Sequence, residues 1–241
     1  MTSFREMGIP FRLFDAPVAD ARQYMGVRHC TTCAREGHCF NLSLNGSLVV
    51  RCGTCANEVA LDARRRTGQV CGTCRTQLEF PYPDQNNIAT CYRCLVDGKA
   101  ALTKDTELGM IRHEDALRGI THGIPGLNRT DFELVPLDDD GWVGAKLPPP
   151  IMLELLRTPG YTSIQGENWL FCCGGPMIYV GRWSREKFSE MAPDRNGRNF
   201  FNQIVRDPID GLWEDELHDK AEIYVFRCPT CLKYSANWDM Y

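Results

Sequence analysis

Thirteen cysteines stand in a chain of 241 residues, and ten of them fall in five Cys-x-x-Cys pairs: Cys30/Cys33, Cys52/Cys55, Cys71/Cys74, Cys91/Cys94 and Cys228/Cys231. Two cysteines with two residues between them can wrap a tight turn and offer both thiolates to one ion. A second such turn completes the tetrahedron that zinc prefers. Eighteen residues separate Cys33 from Cys52, and 16 separate Cys74 from Cys91. Both intervals suit four-cysteine zinc sites. The spacing therefore predicts sequential pairing, with Cys30, Cys33, Cys52 and Cys55 at one ion and Cys71, Cys74, Cys91 and Cys94 at another. Cross-braced pairing is the alternative that spacing leaves open. A closed four-thiolate site has no open coordination position, so the metal is expected to be structural rather than catalytic.

His29 and His38 flank this region and offer nitrogen in place of sulfur. With four cysteines at hand, both histidines and Cys39 read as bystanders. A redox role for the pairs needs a strand-to-helix setting that these turn-rich segments lack. Cys228-Pro229-Thr230-Cys231 has no evident mate, since Cys172 and Cys173 are the only other cysteines after Cys94. Neighbouring residues do not easily face one ion. A possible third site is thus Cys173, Cys228 and Cys231 completed by His218 or water, against an empty packed cluster.

The compartment decides how cysteines are read. No basic segment followed by an apolar stretch opens the chain, and no apolar run is long enough to span a bilayer, so a cytoplasmic location is expected. In a reducing compartment clustered cysteines are metal ligands more often than disulfides; secretion would revive the disulfide reading. With 43% hydrophobic and 24% charged residues the chain can build a packed core. The net charge of −4 divides unevenly, +4 over residues 1–75 and −8 over residues 76–241.

Several elements must position these groups. Residues 1–28, with Ile9-Pro10-Phe11-Arg12-Leu13-Phe14 and Pro17, read as an extended N-terminal arm. Alternation on both sides of Asn45-Gly46 predicts a hairpin between Cys33 and Cys52, the zinc-ribbon arrangement. A helical pattern runs from Asp97 to about Arg118, interrupted by Gly98 and Gly109. Asp138-Asp139-Asp140-Gly141 marks a turn and a domain boundary. Pro148-Pro149-Pro150 opens a short helix over 151–156 that stops before Pro159-Gly160. Residues 168–182 and 222–227 read as strands, and Ser184 as the cap of a helix to Met191. The fold expected is α+β: an arm over 1–28, a cysteine-rich zinc-ribbon-like module with two sites over 29–105, and a mixed C-terminal domain over 106–241.

Three ordered blocks carry a resemblance. They are Cys91-Tyr92-Arg93-Cys94-Leu95-Val96-Asp97-Gly98-Lys99-Ala100-Ala101; Arg157-Thr158-Pro159-Gly160-Tyr161 with Gln165-Gly166-Glu167-Asn168-Trp169-Leu170 and Cys173-Gly174; and Phe226-Arg227-Cys228-Pro229-Thr230-Cys231-Leu232-Lys233-Tyr234 with Trp238-Asp239. Together they resemble the CbrC family of bacterial proteins over roughly residues 71–241. The segment from about Cys30 to Gln69 then reads as an inserted zinc ribbon. Met177 stands where relatives often place a second cysteine, which weakens a third metal site. The resemblance implies an association with colicin tolerance and supplies no catalytic residue.

No Gly-x-Ser-x-Gly, phosphate-cradling glycine loop or His-Glu-x-x-His is present, so an enzyme is not expected. His113-Glu114-Asp115 reads as a surface charge cluster. Arg157, Tyr161, Gln165, Glu167 and Trp169 form either a polar pocket or a brace, with Arg157 and Glu167 as a bidentate pair. The function expected is protein recognition: tolerance or immunity to an antibacterial nuclease toxin, with zinc at two sites and a third possible. Such toxins are generally basic, and Asp138 to Asp140 with Asp207, Asp210, Glu214, Asp215, Glu216 and Asp219 offer acidic surface to steer them. Trp213 is the candidate aromatic anchor within that run, whose plainer reading is a solvated helix. The rival is a nucleic-acid-binding zinc ribbon using Arg64, Arg65 and Arg66. A third class, an enzyme with a small-molecule pocket around Arg157 and Glu167, is the remaining alternative.

Overall fold

The computed structural model describes residues 2–42, 47–51, 58–62, 75, 89–216 and 221–240, with 47–51, 58–62 and 215–216 as backbone alone. Cys52, Cys55, Cys71, Cys74, the three arginines 64–66, His218, Asp219 and the turn at Asn45-Gly46 lie outside the described residues. The chain forms two compact units, one of residues 23–160 and one of residues 1–22 with 161–241. These divisions differ from the expected boundaries at 28/29 and 105/106.

The 23–160 unit begins with β1 (Tyr24–His29), β2 (Glu36–Asn41), β3 (Ser47–Arg51), β4 (Glu58–Asp62) and β5 (Ala89–Cys91). β2 lies between β1 and β5 in an antiparallel sheet, with Cys39 opposite Cys91 and Asn41 opposite Ala89. β3 pairs with β4, Ser47 opposite Asp62 and Arg51 opposite Glu58. The hairpin expected to join β2 to β3 is therefore not formed. Alternating apolar residues specify a face and not a partner, and β2 takes the two strands that bring cysteines with them.

Beyond β5 come α1 (Tyr92–Val96) and α2 (His113–Arg118). The single helix expected from Asp97 to Arg118 is instead a turn-rich stretch between these two. Gly98 closes α1 at φ 69°, and Lys104 bridges Ile111. Gly109 has φ 90°, and a Cβ there would lie 2.2 Å from the Gly123 carbonyl oxygen. A helix cannot accommodate that backbone approach. The apolar residues that gave the helical rhythm, Ala100, Leu102, Leu108 and Ile111, are buried all the same. Three strands follow, β6 (Ile124–Pro125), β7 (Glu133–Pro136) and β8 (Trp142–Lys146), in the order β6-β8-β7. Asp138 does not mark a domain boundary: its Oδ1 accepts the N–H groups of Asp140 and Trp142 at 3.0 Å, shaping the β7–β8 turn. α3 (Pro149–Arg157) forms as expected, buries Met152, Leu155 and Leu156, and ends before Pro159.

In the second unit, residues 1–22 are not an extended arm. Phe4, Ile9, Phe11, Leu13 and Phe14 are buried, because a chain this rich in apolar residues gains more from packing than from solvation. The unit continues with β9 (Phe171–Cys172), β10 (Gly175–Pro176), β11 (Ile178–Arg182), α4 (Arg185–Met191), α5 (Gly197–Ile204), β12 (Ala221–Arg227) and β13 (Tyr234–Met240). Ser184 caps α4 by accepting the Lys187 N–H, and Asn196 caps α5 by accepting that of Asn199. β11, β12 and β13 make an antiparallel sheet with β12 in the middle. Successive residues of a strand point to opposite faces. Ile223 and Val225 accordingly join Trp183, Phe188, Phe201 and Leu212 in one core, while Tyr224 and Phe226 pack with Tyr161, Trp169 and Tyr179 in an aromatic cluster.

Candidate metal centres

Each unit brings four thiols together. In the 23–160 unit they are Cys30, Cys33, Cys91 and Cys94, with all four Sγ atoms within 4.8 Å of one another. Cys30 and Cys33 come from the turn between β1 and β2; Cys91 ends β5 and Cys94 sits in the first turn of α1. In the other unit they are Cys172, Cys173, Cys228 and Cys231, equally close. The first two come from the β9–β10 hairpin and the last two from the β12–β13 turn.

The knuckle turns Cys30–Cys33 and Cys228–Cys231 are built alike. The Cys30 N–H reaches the Arg35 carbonyl at 2.7 Å and the Ala34 N–H returns to the Cys30 carbonyl at 2.8 Å. The equivalent bonds, Cys228 to Lys233 and Leu232 to Cys228, measure 2.8 and 3.1 Å. In both turns the residue after the second cysteine enters the left-handed region, Ala34 at φ 55° and Leu232 at φ 61°. Backbone N–H groups also point at sulfur: Cys91 N–H to Cys30 Sγ at 3.1 Å, and Thr230 and Cys231 N–H to Cys228 Sγ at 3.4 Å. Such donors favour the thiolate, which is the metal-binding form.

The sulfur spacing tests the fit. Four thiolates about 2.3 Å from a central zinc in a tetrahedron stand about 3.8 Å from each other, whereas a disulfide brings two sulfurs to about 2.05 Å. Cys30 and Cys94 lie 3.9 Å apart, Cys33 and Cys91 3.6 Å, and Cys172 is 3.7 Å from both Cys173 and Cys231. Both sets have the dimensions of a tetrathiolate. Crowding disperses their acidities. Hydrogen bonding with Cys94 holds the Cys30 thiol down at about 4, and the same bond, with burial, drives Cys94 far up. At the other set, the Lys233 N–H, followed by the neighbouring thiols, brings Cys231 to about 7, while burial and its sulfur neighbours raise Cys172. A dication held by these cysteines would remove this conflict by stabilising all four thiolates at once.

Two expectations are corrected. Cys30 and Cys33 meet Cys91 and Cys94, so the pairing is neither sequential nor cross-braced but outermost with outermost; the β2–β5 ladder is what closes it. The third set also includes Cys172, which was expected to face away. Cys173 at φ 53° and Gly174 at φ 76° form the two-residue loop of the β9–β10 hairpin, and that turn brings the adjacent thiols round to one point. Met177 is buried, with its N–H on the Leu170 carbonyl, and Cys172 is the fourth thiol of the set instead.

The bystanders are occupied elsewhere. The Cys39 thiol donates to the Arg28 carbonyl at 3.3 Å, and burial pushes it up to about 12. His38 Nδ1 bonds the Tyr24 hydroxyl at 2.9 Å. Within the His113-Glu114-Asp115 cluster, Asp115 is buried and accepts the Arg112 N–H at 2.9 Å, which makes it a helix cap.

The residues assigned to a pocket or brace are mostly interior. Tyr161 and Trp169 are fully buried, and Glu167 accepts the Trp169 indole N–H at 3.0 Å. The Tyr161 hydroxyl donates to the Asn168 carbonyl and accepts the Asn168 N–H. Gln165 donates its side-chain amide to the Met240 carbonyl at 2.9 Å. Arg157 belongs to the other unit, and its guanidinium lies beside Gly98. Sequence reasoning missed a polar network that ties this segment down. Asp239 accepts the N–H groups of Ile164 and Gln165 at 3.0 and 2.9 Å and the Tyr224 hydroxyl at 2.6 Å. Arg182 in turn joins Glu222 and the buried Asp20. The available signal was the Trp238-Asp239 dipeptide within the resemblance.

The acidic run is also more integrated than expected. Trp213 packs against Phe188 and Phe201 with ring centroids 6.0 and 5.2 Å away, so it is not a free anchor. Glu214 is ion-paired with Arg198, while Asp207 and Asp210 are exposed. The backbone around Trp213 makes a short π-helical turn over Leu212–Glu216. Among the described residues no helix is long and apolar enough to cross a membrane.

A model of an uncharacterised protein family, UPF0167, matches residues 55–240. No curated protein and no solved structure matches the chain. The match takes in all four thiols of the 172–231 set, but only Cys91 and Cys94 of the other.

Proposed function

We propose, on the premise that the chain belongs to the uncharacterised protein family UPF0167, that it is a zinc-stabilised protein-recognition protein with one tetrathiolate zinc in each unit. The observation that carries the zinc assignment is the pair of four-thiol sets at tetrathiolate spacing. Cys30, Cys33, Cys91 and Cys94 hold one ion, and Cys172, Cys173, Cys228 and Cys231 the other. When bound, zinc supplies cross-linking and charge neutralisation. The residues Cys52, Cys55, Cys71 and Cys74 keep ligand spacing in the sequence and make a third ion part of the proposal. Arg75, which follows Cys74, has the same left-handed backbone, φ 60°, as Ala34 and Leu232.

Metal analysis of the purified full chain tests this directly. Two zinc equivalents are expected from the described sets, and three if the remaining four cysteines also bind. A chain carrying no zinc, or one in which Cys94→Ser leaves the zinc content unchanged, would sink the assignment.

The recognition half rests on the CbrC resemblance and on charge. Residues 76–241 carry a balance of −8, which attracts a basic partner and speeds encounter. A nuclease toxin of basic surface is the proposed partner, met by exposed carboxylates such as Asp207 and Asp210 while the half-buried Trp213 stays packed against Phe188 and Phe201. Co-expression with such toxins should protect cells, and binding should weaken as salt rises. Absence of protection across a panel of nuclease toxins would overturn it.

A further inference from the structure

The two thiol sets differ in how they face solvent. In the 23–160 unit Cys30, Cys91 and Cys94 are buried and Cys33 is half-buried. In the other, Cys173 and Cys231 are exposed, Cys172 is half-buried and only Cys228 is enclosed. Cys228 Sγ receives two backbone N–H donors, which quiet a thiolate by drawing on its lone pairs. The neighbours that the structure gives Cys173 are thiols.

Cys173 also occupies an unusual place for its side chain. The two-residue loop Cys173-Gly174, both residues at positive φ, is the type I′ turn of tight hairpins, in which asparagine, aspartate or glycine is favoured first. Cysteine there sets a costlier backbone and holds an exposed thiol within 4.8 Å of the other three. The turn alone does not call for sulfur; its thiol chemistry does.

We propose that the Cys172/Cys173/Cys228/Cys231 centre is a peroxide-sensitive zinc site, in which Cys173 reacts first and Cys231 resolves it. This rests on the zinc assignment above. The Cys173 thiolate attacks hydrogen peroxide; an S–O bond forms, the O–O bond breaks, and the departing hydroxide takes a proton to become water. The Cys231 thiolate, whose sulfur lies within 4.8 Å, then attacks the Cys173 sulfenic acid. An S–S bond forms, the S–O bond breaks, and a second hydroxide is protonated. Two thiolates lose two electrons to one peroxide, and two protons are consumed in giving two waters and a disulfide. Only Cys172 and Cys228 remain as ligands, and zinc departs. The buried set in the other unit keeps its metal.

The test uses the zinc-loaded full chain, graded hydrogen peroxide and a chromogenic zinc indicator, with peptide mapping of disulfides. One zinc equivalent should be released first, together with a Cys173–Cys231 linkage. Simultaneous release from both sets, or a first disulfide among Cys30, Cys33, Cys91 and Cys94, overturns the inference. Cys173→Asn keeps a residue that the turn favours and removes the sulfur, so it should lower zinc content by one equivalent and abolish the early release. If C173N binds as much zinc as the parent chain, the zinc assignment at this centre fails. If it binds one fewer but peroxide frees nothing from the parent chain, the assignment stands and the redox inference fails.

Discussion

Cys39 and Cys91 face each other across the β2–β5 ladder, yet only Cys91 joins a thiol set. The difference lies in the hydrogen bond: the Cys39 thiol donates to a carbonyl, which requires its proton, whereas a metal ligand must give that proton up. Cys39→Ala should therefore leave zinc content unchanged and cost about 1 kcal/mol of stability from lost packing, measured by metal analysis and urea unfolding. Asp239 is a residue of the opposite kind, small in the sequence and large in consequence. One buried carboxylate accepts two backbone N–H groups and a tyrosine hydroxyl. Asp239→Ala leaves the Gln165 N–H without its acceptor, while the Ile164 N–H keeps the Tyr224 hydroxyl and that hydroxyl keeps Glu222, so a loss of about 2 kcal/mol is expected from breaking charged hydrogen bonds. A shift in denaturation midpoint of much less would mean that the network around Tyr224 closes over the gap.

At the scale of elements, what was legible in the sequence was local. The Cys30–Cys33 and Cys228–Cys231 turns, the Pro-opened α3, the Ser184 cap and the β12 strand each depend on residues within one or two turns of chain, and each is found. Pairing is not local. Nothing in the spacing of four knuckles says that the first meets the last, because that is decided by β5 choosing β2. Likewise Cys172-Cys173 looks unable to serve one ion until Cys173-Gly174 is recognised as a hairpin turn; the glycine after Cys173 was the available sign. The segment between α1 and α2 shows the other failure, since burial without a helix can imitate helical periodicity. Gly109 carries that lesson into a prediction. Gly109→Ala places a Cβ on the Gly123 backbone and holds an unfavourable φ, so a loss of about 3 kcal/mol or more is expected. Unfolding of the full chain followed by circular dichroism checks it.

For the whole molecule, the packing around Cys30 differs in kind from that of the aromatic cores. The unit of residues 1–22 and 161–241 has two aromatic-rich cores on the faces of one sheet. Around Cys30 in the other unit the buried cluster is Cys30, Cys39, Ala89, Cys91 and Cys94, with Met25 and Cys33 at its edge. Small side chains and sulfur bury little apolar area, and the proposed zinc would stand in for the missing hydrocarbon there. Stripping zinc should therefore loosen β1, β2 and β5 well before the aromatic core. Zinc at a thousand times its Kd stabilises a site by about 4 kcal/mol, and that much should disappear with chelation. Hydrogen exchange with and without chelator measures it; equal protection losses in both cores would contradict this account.

The opposition of Asn41 and Ala89 has a consequence for how such a chain can be cut and lengthened. Asn41, the last residue of β2, and Ala89, the first of β5, are partners on one rung, so the two ends of the 42–88 interval stand side by side. The closure entropy of a flexible connection grows only slowly, by about 0.6 kcal/mol for each doubling of its length. The interval is thus an entry point at which sequence can be added or removed while the thiols at its two ends stay in place. The family match begins at residue 55, inside that interval. Replacing residues 43–88 by a short Asn-Gly-containing turn should give a chain that still captures zinc through Cys30, Cys33, Cys91 and Cys94, with any metal held by Cys52, Cys55, Cys71 and Cys74 lost. The zinc count of that shortened chain, set beside the parent, shows whether the excursion is a separable cassette.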